Sequence, residues 1–501
     1  MAAIAGGEME EGRKAGTGVL IAACVSAAVV NANTSAVTIL LPAISEDVHA
    51  PVAQLQWAVT GYSLVGAAVI VTSGALGDVF GRRRMFIAGL GLFVASCILI
   101  ALSSTGSAVV AGRMIQGASG ATILACGMSL LSVASSGKAQ MKAITLWGAA
   151  SAAGAAAGPL VGGLLVESTG WQGLFWIDMT IAAICIPLTL KTVAESRDPN
   201  RSKSIDWAGT ALIALILSPI ILALSEGNDW GWTSAATLGC FAVSIVSTVA
   251  FIRVEKSVEA PIVNLELLRN RILVGSTLAI LIVAGTINAL MYLVSLYFQD
   301  PAALGMTALE AGLATLPAAA GMILITPAIT PMAGRFGAGK TVAIGFLLAA
   351  VGFVVLAFVK SDWAYGMFVL PLVATAVGLG MANGPASSAS TASVSEDEVG
   401  AAAGISNMSR YVGASVAVAA AAMVDNAVLN NNLQDGASRG DALAKGLAAA
   451  SLMMAIWAAA GVGLMALLAR YKARHPPEPV DRAAAAAATA HTIPTRATVT
   501  T

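Results

Sequence analysis

Fourteen apolar runs, most of them long enough to cross about 30 Å of hydrocarbon at about 1.5 Å per helical residue, leave this chain few ways to fold. They fall at 17–41, 56–76, 86–104, 108–132, 143–166, 171–190, 207–225, 234–252, 272–298, 308–330, 341–359, 364–387, 402–424 and 446–469. In lipid a spanning segment must satisfy its own backbone hydrogen bonds, which restricts it to helices or closed barrels. Barrel strands alternate over about ten residues, and these runs do not. With 57% hydrophobic and 11% charged residues in 501, the expectation is an all-α polytopic membrane protein. The first run is too long for a signal peptide and many spans follow it, so it is expected to be retained.

An even number of spans puts both termini on one side. Under this count Arg13, Lys14, Arg82, Arg83, Arg84, Lys138, Lys142, Lys191, Arg197, Arg201, Lys203, Arg253, Lys256, Arg269, Arg271, Arg335, Lys340 and the C-terminal tail share one face. The other face receives only Lys360, Arg439 and Lys445. Basic connections stay in the cytoplasm, so both termini are expected there, in a multi-pass protein of the cell membrane. A formal net charge of zero implies no general attraction to nucleic acid. Cys24, Cys97, Cys126, Cys185 and Cys240 lie in apolar runs without disulfide or metal spacing, and His49, His475 and His491 lie outside the spans. No metal site is expected, and no G-x-x-x-x-G-K-S/T loop is present to bind ATP.

A faint internal repeat sets DVFGRRR (78–84) against GRFGAGK (334–340), so Gly81 aligns with Gly337 while Gly334 stands opposite Asp78. The implied organisation is a cytoplasmic N-terminus (1–16), a six-helix bundle (17–190), two inserted helices (207–252), a second six-helix bundle (272–469) and a disordered cytoplasmic tail (470–501).

Three motifs carry chemistry. In GALGDVFGRRRMF, Gly74 and Gly81 permit close helix approach and a tight turn, and Asp78 sets a carboxylate beside Arg82, Arg83 and Arg84. The arginines either pair with Glu396, Asp397 and Glu398 as a cytoplasmic gate or only set topology. In AGRMIQGASG, Arg113 within a span costs about 2.5–3.5 kcal/mol on insertion scales, so it is expected to turn inward with Gln116, snorkelling being the alternative. In GAAAGPLVGG, Gly154, Gly158 and Gly162 recur every four residues, with Pro159 and Gly163 beside them, and make a smooth face for a neighbouring helix.

These segments resemble signatures of the major facilitator superfamily: G-x-L-x-D-x-x-G-R-R/K at 74–83, R-x-x-Q-G at 113–117, and G-x-x-x-G-P-x-x-G-G at 154–163, which marks antiporters. With QWAVTGYSL, DWAG, WGW, LYFQ, AGLATLP and SNMSRYVG in order along the chain, the sequence is most similar to the fourteen-helix drug:proton antiporter branch. The resemblance implies two bundles rocking about a midplane site, Asp78 as a latch, and Arg113 coupling protons to substrate. It implies no enzyme activity and no cofactor beyond a proton gradient. The expected partners are a small-molecule substrate, protons and the lipid bilayer.

Two departures stand out. The first helix of that branch carries D-x-T-x-x-N, yet here Asn33 stands where the acid belongs, and an amide cannot carry a proton near neutral pH. Asp178 occupies an unusual position in WQGLFWIDMT, read first as a solvated acid near the outer end of the sixth helix and second as a replacement proton carrier. The expected polar walls are Asn33, Ser35, Thr38, Arg113, Gln116, Asn288 and Asn407. The expected function is efflux of a drug, antibiotic or metabolite. A metabolite facilitator or symporter of the same fold is the alternative, and a membrane sensor or polytopic enzyme the alternative of another class.

Overall fold

The computed structural model describes residues 16–135, 137–197, 205–258, 261–263, 265–394 and 398–474. The N-terminal segment before 16, the tail beyond 474, and Glu396 and Asp397 lie outside the described residues. Every described element is helical: α1 (Thr17–Asp47), α2 (Val52–Leu55), α3 (Trp57–Phe80), α4 (Arg82–Ala101), α5 (Gly106–Ala134), α6 (Gly137–Thr169), α7 (Gln172–Thr192), α8 (Trp207–Trp230) and α9 (Ala235–Glu255), then α10 (Arg271–Gln299), α11 (Ala308–Ala314), α12 (Leu316–Phe336), α13 (Ala338–Leu356), α14 (Gly366–Thr391), α15 (Val399–Gln434) and α16 (Arg439–Arg474). A single 3-10 turn, Leu267–Arg269, precedes α10. Fourteen helical segments are long and apolar enough to span a membrane, with α2 and α3 joined in one and α11 and α12 in another.

Helix ends are fixed by the residue types that can satisfy bare backbone groups. Thr105, Asp206, Ser234 and Asn270 accept backbone N–H bonds at the starts of α5, α8, α9 and α10, and Thr307 and Glu310 form a reciprocal capping box at α11. The aligned turns repeat in three dimensions. Gly81 between α3 and α4 has φ 117°, and Gly337 between α12 and α13 has φ 86°, a left-handed backbone that favours glycine. Several helices run past their apolar cores. α1 ends at Asp47, α15 at Gln434 and α16 at Arg474, so the expected tail boundary at 470 falls inside a helix.

α1 packs on α6, α3 on α5, α4 on α5 and α7, while α10 packs on α15 and α13 packs on α14 and α16. This gives two groups, α1–α7 and α10–α16. The α8–α9 pair leans on the seam between α3 and α15, where Thr72 and Thr210 hydroxyls lie 2.6 Å apart. Its outer surface is apolar and open, with Ile245 and Val246 about two-thirds exposed, as suits a lipid-facing helix.

Successive helices alternate direction. One end of the molecule, the arginine end, carries Arg82–Arg84 and both ends of the described chain; the far end carries Asp47, Trp57 and Gly106. The two groups meet through hydrogen bonds toward the far end. Ser295 Oγ donates to the Thr38 carbonyl at 2.8 Å, Gln299 Nε2 to the Ile39 carbonyl at 3.1 Å, and Ser415 Oγ to the Thr60 carbonyl at 3.2 Å.

Candidate functional site

Arg113 is wholly buried, which excludes snorkelling. Its placement follows from small residues around it. A methyl at Gly117 would overlap the Tyr62 carbonyl, so only glycine at this position lets α3 and α5 approach this closely. The guanidinium then lies 4.3 Å from the centre of the Tyr62 ring and donates through Nε to the Ala58 carbonyl at 3.0 Å. Its Nη1 donates to Gln116 Oε1 and, at 2.5 Å, to Asn33 Oδ1.

Asn33 passes the contact onward. Its Nδ2 donates to Asp178 Oδ2 at 2.7 Å, with both side chains buried. The reading of Asp178 as a solvated acid is therefore corrected: the residue sits in the second turn of α7, 4% exposed, facing α1. The carboxylate nearest the arginine thus stands on α7 and not on α1, and the amide at Asn33 bridges the two. Gln116 also donates to Cys97 Sγ at 3.1 Å, giving one of the five free thiols a packing role with a polar edge. Arg113 Nη2 has no partner among the described residues.

The glycine motif of α6 has two faces. Gly154 and Gly158 lie against the Ala28 and Ala32 carbonyls of α1, Gly162 against Ala36, and Ser35 Oγ donates to the Ala155 carbonyl at 2.8 Å. Gly163 looks the other way: a methyl there would stand 2.5 Å from the Ala308 carbonyl oxygen of α11. Gly312 of α11 returns the contact, since its methyl would stand 2.6 Å from the Pro159 carbonyl oxygen. One motif thus packs α6 within its own bundle and seals it against the other.

At the arginine end, Arg82 pairs with Asp78 at 2.8 Å and Arg84 with Glu195 at 3.6 Å. Glu195 Oε1 also accepts from the Arg83 backbone at 3.1 Å, while the Arg83 side chain donates to the Leu190 carbonyl. These partners belong to the first bundle and the chain just after it. A methyl at Gly74 meets nothing within 4 Å, so close packing is not what this glycine supplies.

Of the remaining expected wall residues, Thr38 is buried at the contact between bundles, Asn288 is half-buried and turned back onto the Ala284 carbonyl, and Asn407 is half-buried. Three further polar groups stand out, of which Arg410 and Asp206 enter the sequence analysis only within the SNMSRYVG and DWAG segments, and Asp425 and Glu255 not at all. Arg410 of α15 donates to Asn383 Oδ1 at 2.7 Å and Ser387 Oγ at 2.6 Å, and Asp425 of α15 abuts Gly446 of α16. Asp206 and Glu255 are buried at the base of the α8–α9 pair. No group of three or more His, Cys, Asp or Glu side chains that could hold a metal is found among the described residues.

Two helical bundles joined by a glycine-lined seam, with a buried arginine chained to a carboxylate, define a multi-pass membrane transporter of the alternating-bundle kind. Residues 23–418 match the Major Facilitator Superfamily, and the chain belongs to it. Among its relatives, the tetracenomycin C resistance and export protein of Streptomyces glaucescens is 31% identical over 364 residues, 72% of this chain and 67% of that protein. The multidrug efflux pump LfrA of Mycolicibacterium smegmatis is 30% identical over 395 residues, 78% of this chain and 77% of the relative. The cephamycin export protein CmcT of Amycolatopsis lactamdurans is 28% identical over 408 residues, covering 80% and 84%. A crystal structure of an auto-inhibited POT family peptide transporter has a similar fold, with TM-score 0.64 at 14% identity over 90% of this chain and 97% of that one.

Proposed function

We propose that this chain is a secondary active exporter of small hydrophobic or amphipathic compounds, driven by proton antiport, lying in the cell membrane with both termini in the cytoplasm. Relatives named for the export of antibiotics and drugs support the direction and the substrate class. The single observation that carries the coupling is the buried chain Arg113–Asn33–Asp178. Asp178 is the proton carrier of this reading. When it is ionised, the Asn33 amide holds its charge in line with the guanidinium; when it is protonated, that attraction is lost and Arg113 is free to engage substrate through its spare Nη2.

The glycine seam supplies the moving contact. Gly154, Gly158 and Gly162 keep α6 fixed to α1, while Gly163 and Pro159 meet α11 only when the far end is closed. At the opposite end, Gly74, Asp78, Gly81, Arg82 and Arg83 act as the cytoplasmic gate, held in shape within the first bundle by Asp78–Arg82 and Glu195–Arg84.

The test is substrate movement in proteoliposomes with an imposed pH gradient, using Asp178→Asn alone and together with Asn33→Asp. The single variant is expected to lose gradient-driven transport by about tenfold or more while keeping substrate exchange without a gradient. The double variant restores a carboxylate to the same hydrogen bond and is expected to recover coupling in part. Full gradient-driven transport by Asp178→Asn would remove Asp178 from the mechanism.

A further inference from the structure

Asp206 and Glu255 stand 49 positions apart in sequence, yet the fold brings their carboxylates together. Asp206 caps the first turn of α8, where its Oδ1 accepts from the Gly209 backbone at 2.6 Å. Glu255 is the last residue of α9, and its Oε2 accepts from the Val263 backbone at 3.4 Å. The second oxygen of each, Asp206 Oδ2 and Glu255 Oε1, has no hydrogen-bond partner among the described residues, although the residues are only 5% and 4% exposed. Both orphan oxygens converge over Gly209. A methyl there would overlap Asp206 Oδ2 and come within 3.1 Å of Glu255 Oε1, so the absence of a side chain is what lets both oxygens approach this point.

A buried carboxylate without a counter-charge is costly, and two facing each other are more so. No described lysine or arginine supplies the charge. Lys256 and Arg253, the nearest basic residues in sequence, are exposed, and neither acid forms an ion pair with a described residue. The polar groups close by are the Thr210 hydroxyl, which donates to the Asp206 carbonyl, and its Thr72 partner; both are neutral. Hard oxygen donors in a small space, two of them carboxylate, suit a divalent cation of the magnesium or calcium class that keeps part of its water shell.

We propose that Asp206 and Glu255 form a divalent-cation site at the base of the inserted helix pair, made possible by Gly209. The site joins the start of α8, the end of α9 and the loop at Val263, which packs with Leu267, Ala402 and Ile405 at the entry to α10 and α15. A bound cation therefore ties the inserted pair to the second bundle next to the seam on which the bundles rock. It is separate from the Arg113–Asp178 network and does not depend on the direction of transport.

Mn²⁺ titration of chelator-treated, purified full-length protein, followed by electron paramagnetic resonance and by thermal unfolding, tests this. About one Mn²⁺ is expected to bind per chain, displaced by excess Mg²⁺ or Ca²⁺ and accompanied by a higher Tm. Asp206→Asn, which keeps the helix cap, and Glu255→Gln are each expected to weaken Mn²⁺ binding by about tenfold or more and to remove the Tm shift. Gly209→Ala is expected to do the same by filling the space. The proposal is overturned by an absence of saturable Mn²⁺ binding, or by unchanged binding in both Asp206→Asn and Glu255→Gln.

Discussion

Each bundle carries an arginine within a helix, wholly buried at Arg113 and half-buried at Arg410, and the two have different company. Arg113 of the first bundle reaches a carboxylate through one amide, at 2.5 Å and then 2.7 Å. Arg410 of the second bundle meets the neutral Asn383 and Ser387. The backbone repeat is equally plain at the turns, where Gly81 and Gly337 share a left-handed φ, but only the first carries the acid, Asp78, and the Glu195 carboxylate against it. The two turns have therefore kept their backbone geometry on both sides and their acid on one. Under the proposed proton coupling, an acid chained to only one of the two arginines lets protonation change the energy of one bundle against the other.

The comparison breaks most sharply if the two arginines prove equivalent. Arg113→Lys replaces a planar fork that serves Ala58, Gln116 and Asn33 with a single ammonium, and gradient-driven transport is expected to fall by about tenfold or more. Arg410→Lys is expected to cost less than about threefold in the same vesicle assay, since no charge relay passes through it. Equal losses would show that the second bundle takes part in coupling.

A smaller effect is expected at the seam between the bundles. Gly163→Val would drive a side chain into the Ala308 and Leu309 backbone, and overpacking of this kind costs about 1–3 kcal/mol. The cost falls on the conformation closed at the far end, so distance measurements between spin labels at the far ends of the bundles should shift toward the open state. A distribution identical to that of the unaltered protein would mean that the seam does not discriminate between states.

The mildest pair sharpens the turn comparison. Gly81→Ala and Gly337→Ala each force an alanine into left-handed backbone, at about 1–2 kcal/mol. At Gly81 the new methyl would also stand 2.6 Å from the Glu195 carboxyl and disturb its contacts with Arg83 and Arg84, whereas at Gly337 it meets nothing within 4 Å. Thermal unfolding should therefore show a larger fall in Tm for Gly81→Ala.

Much of this was legible in the residues. The count of fourteen spans, the repeated glycine turn, the inward arginine and the close-packing role of Gly154, Gly158 and Gly162 all follow from length, charge cost and side-chain size, which act locally. Hydropathy fades before the helix does: the thirteenth apolar run ends at 424, one residue before Asp425, while α15 continues to Gln434. The burial of Asp178 is hidden in the sequence for a different reason. On a helix that is apolar nearly all round, lipid and protein interior look alike in sequence, so no periodic pattern tells which way a lone acid points.

The sequence alone determined that the chain crosses a membrane as helices, that it turns back at Gly81 and Gly337, and that Arg113 has either to turn inward or to snorkel, because each rests on the energy of placing backbone, glycine or charge in a given solvent. Only the tertiary structure decided that Asn33 relays Arg113 to Asp178, that Gly163 and Gly312 close one bundle on the other, and that Asp206 meets Glu255 over Gly209. Those are pairings between residues distant in the chain, fixed by helix rotation and proximity, and no local preference encodes either.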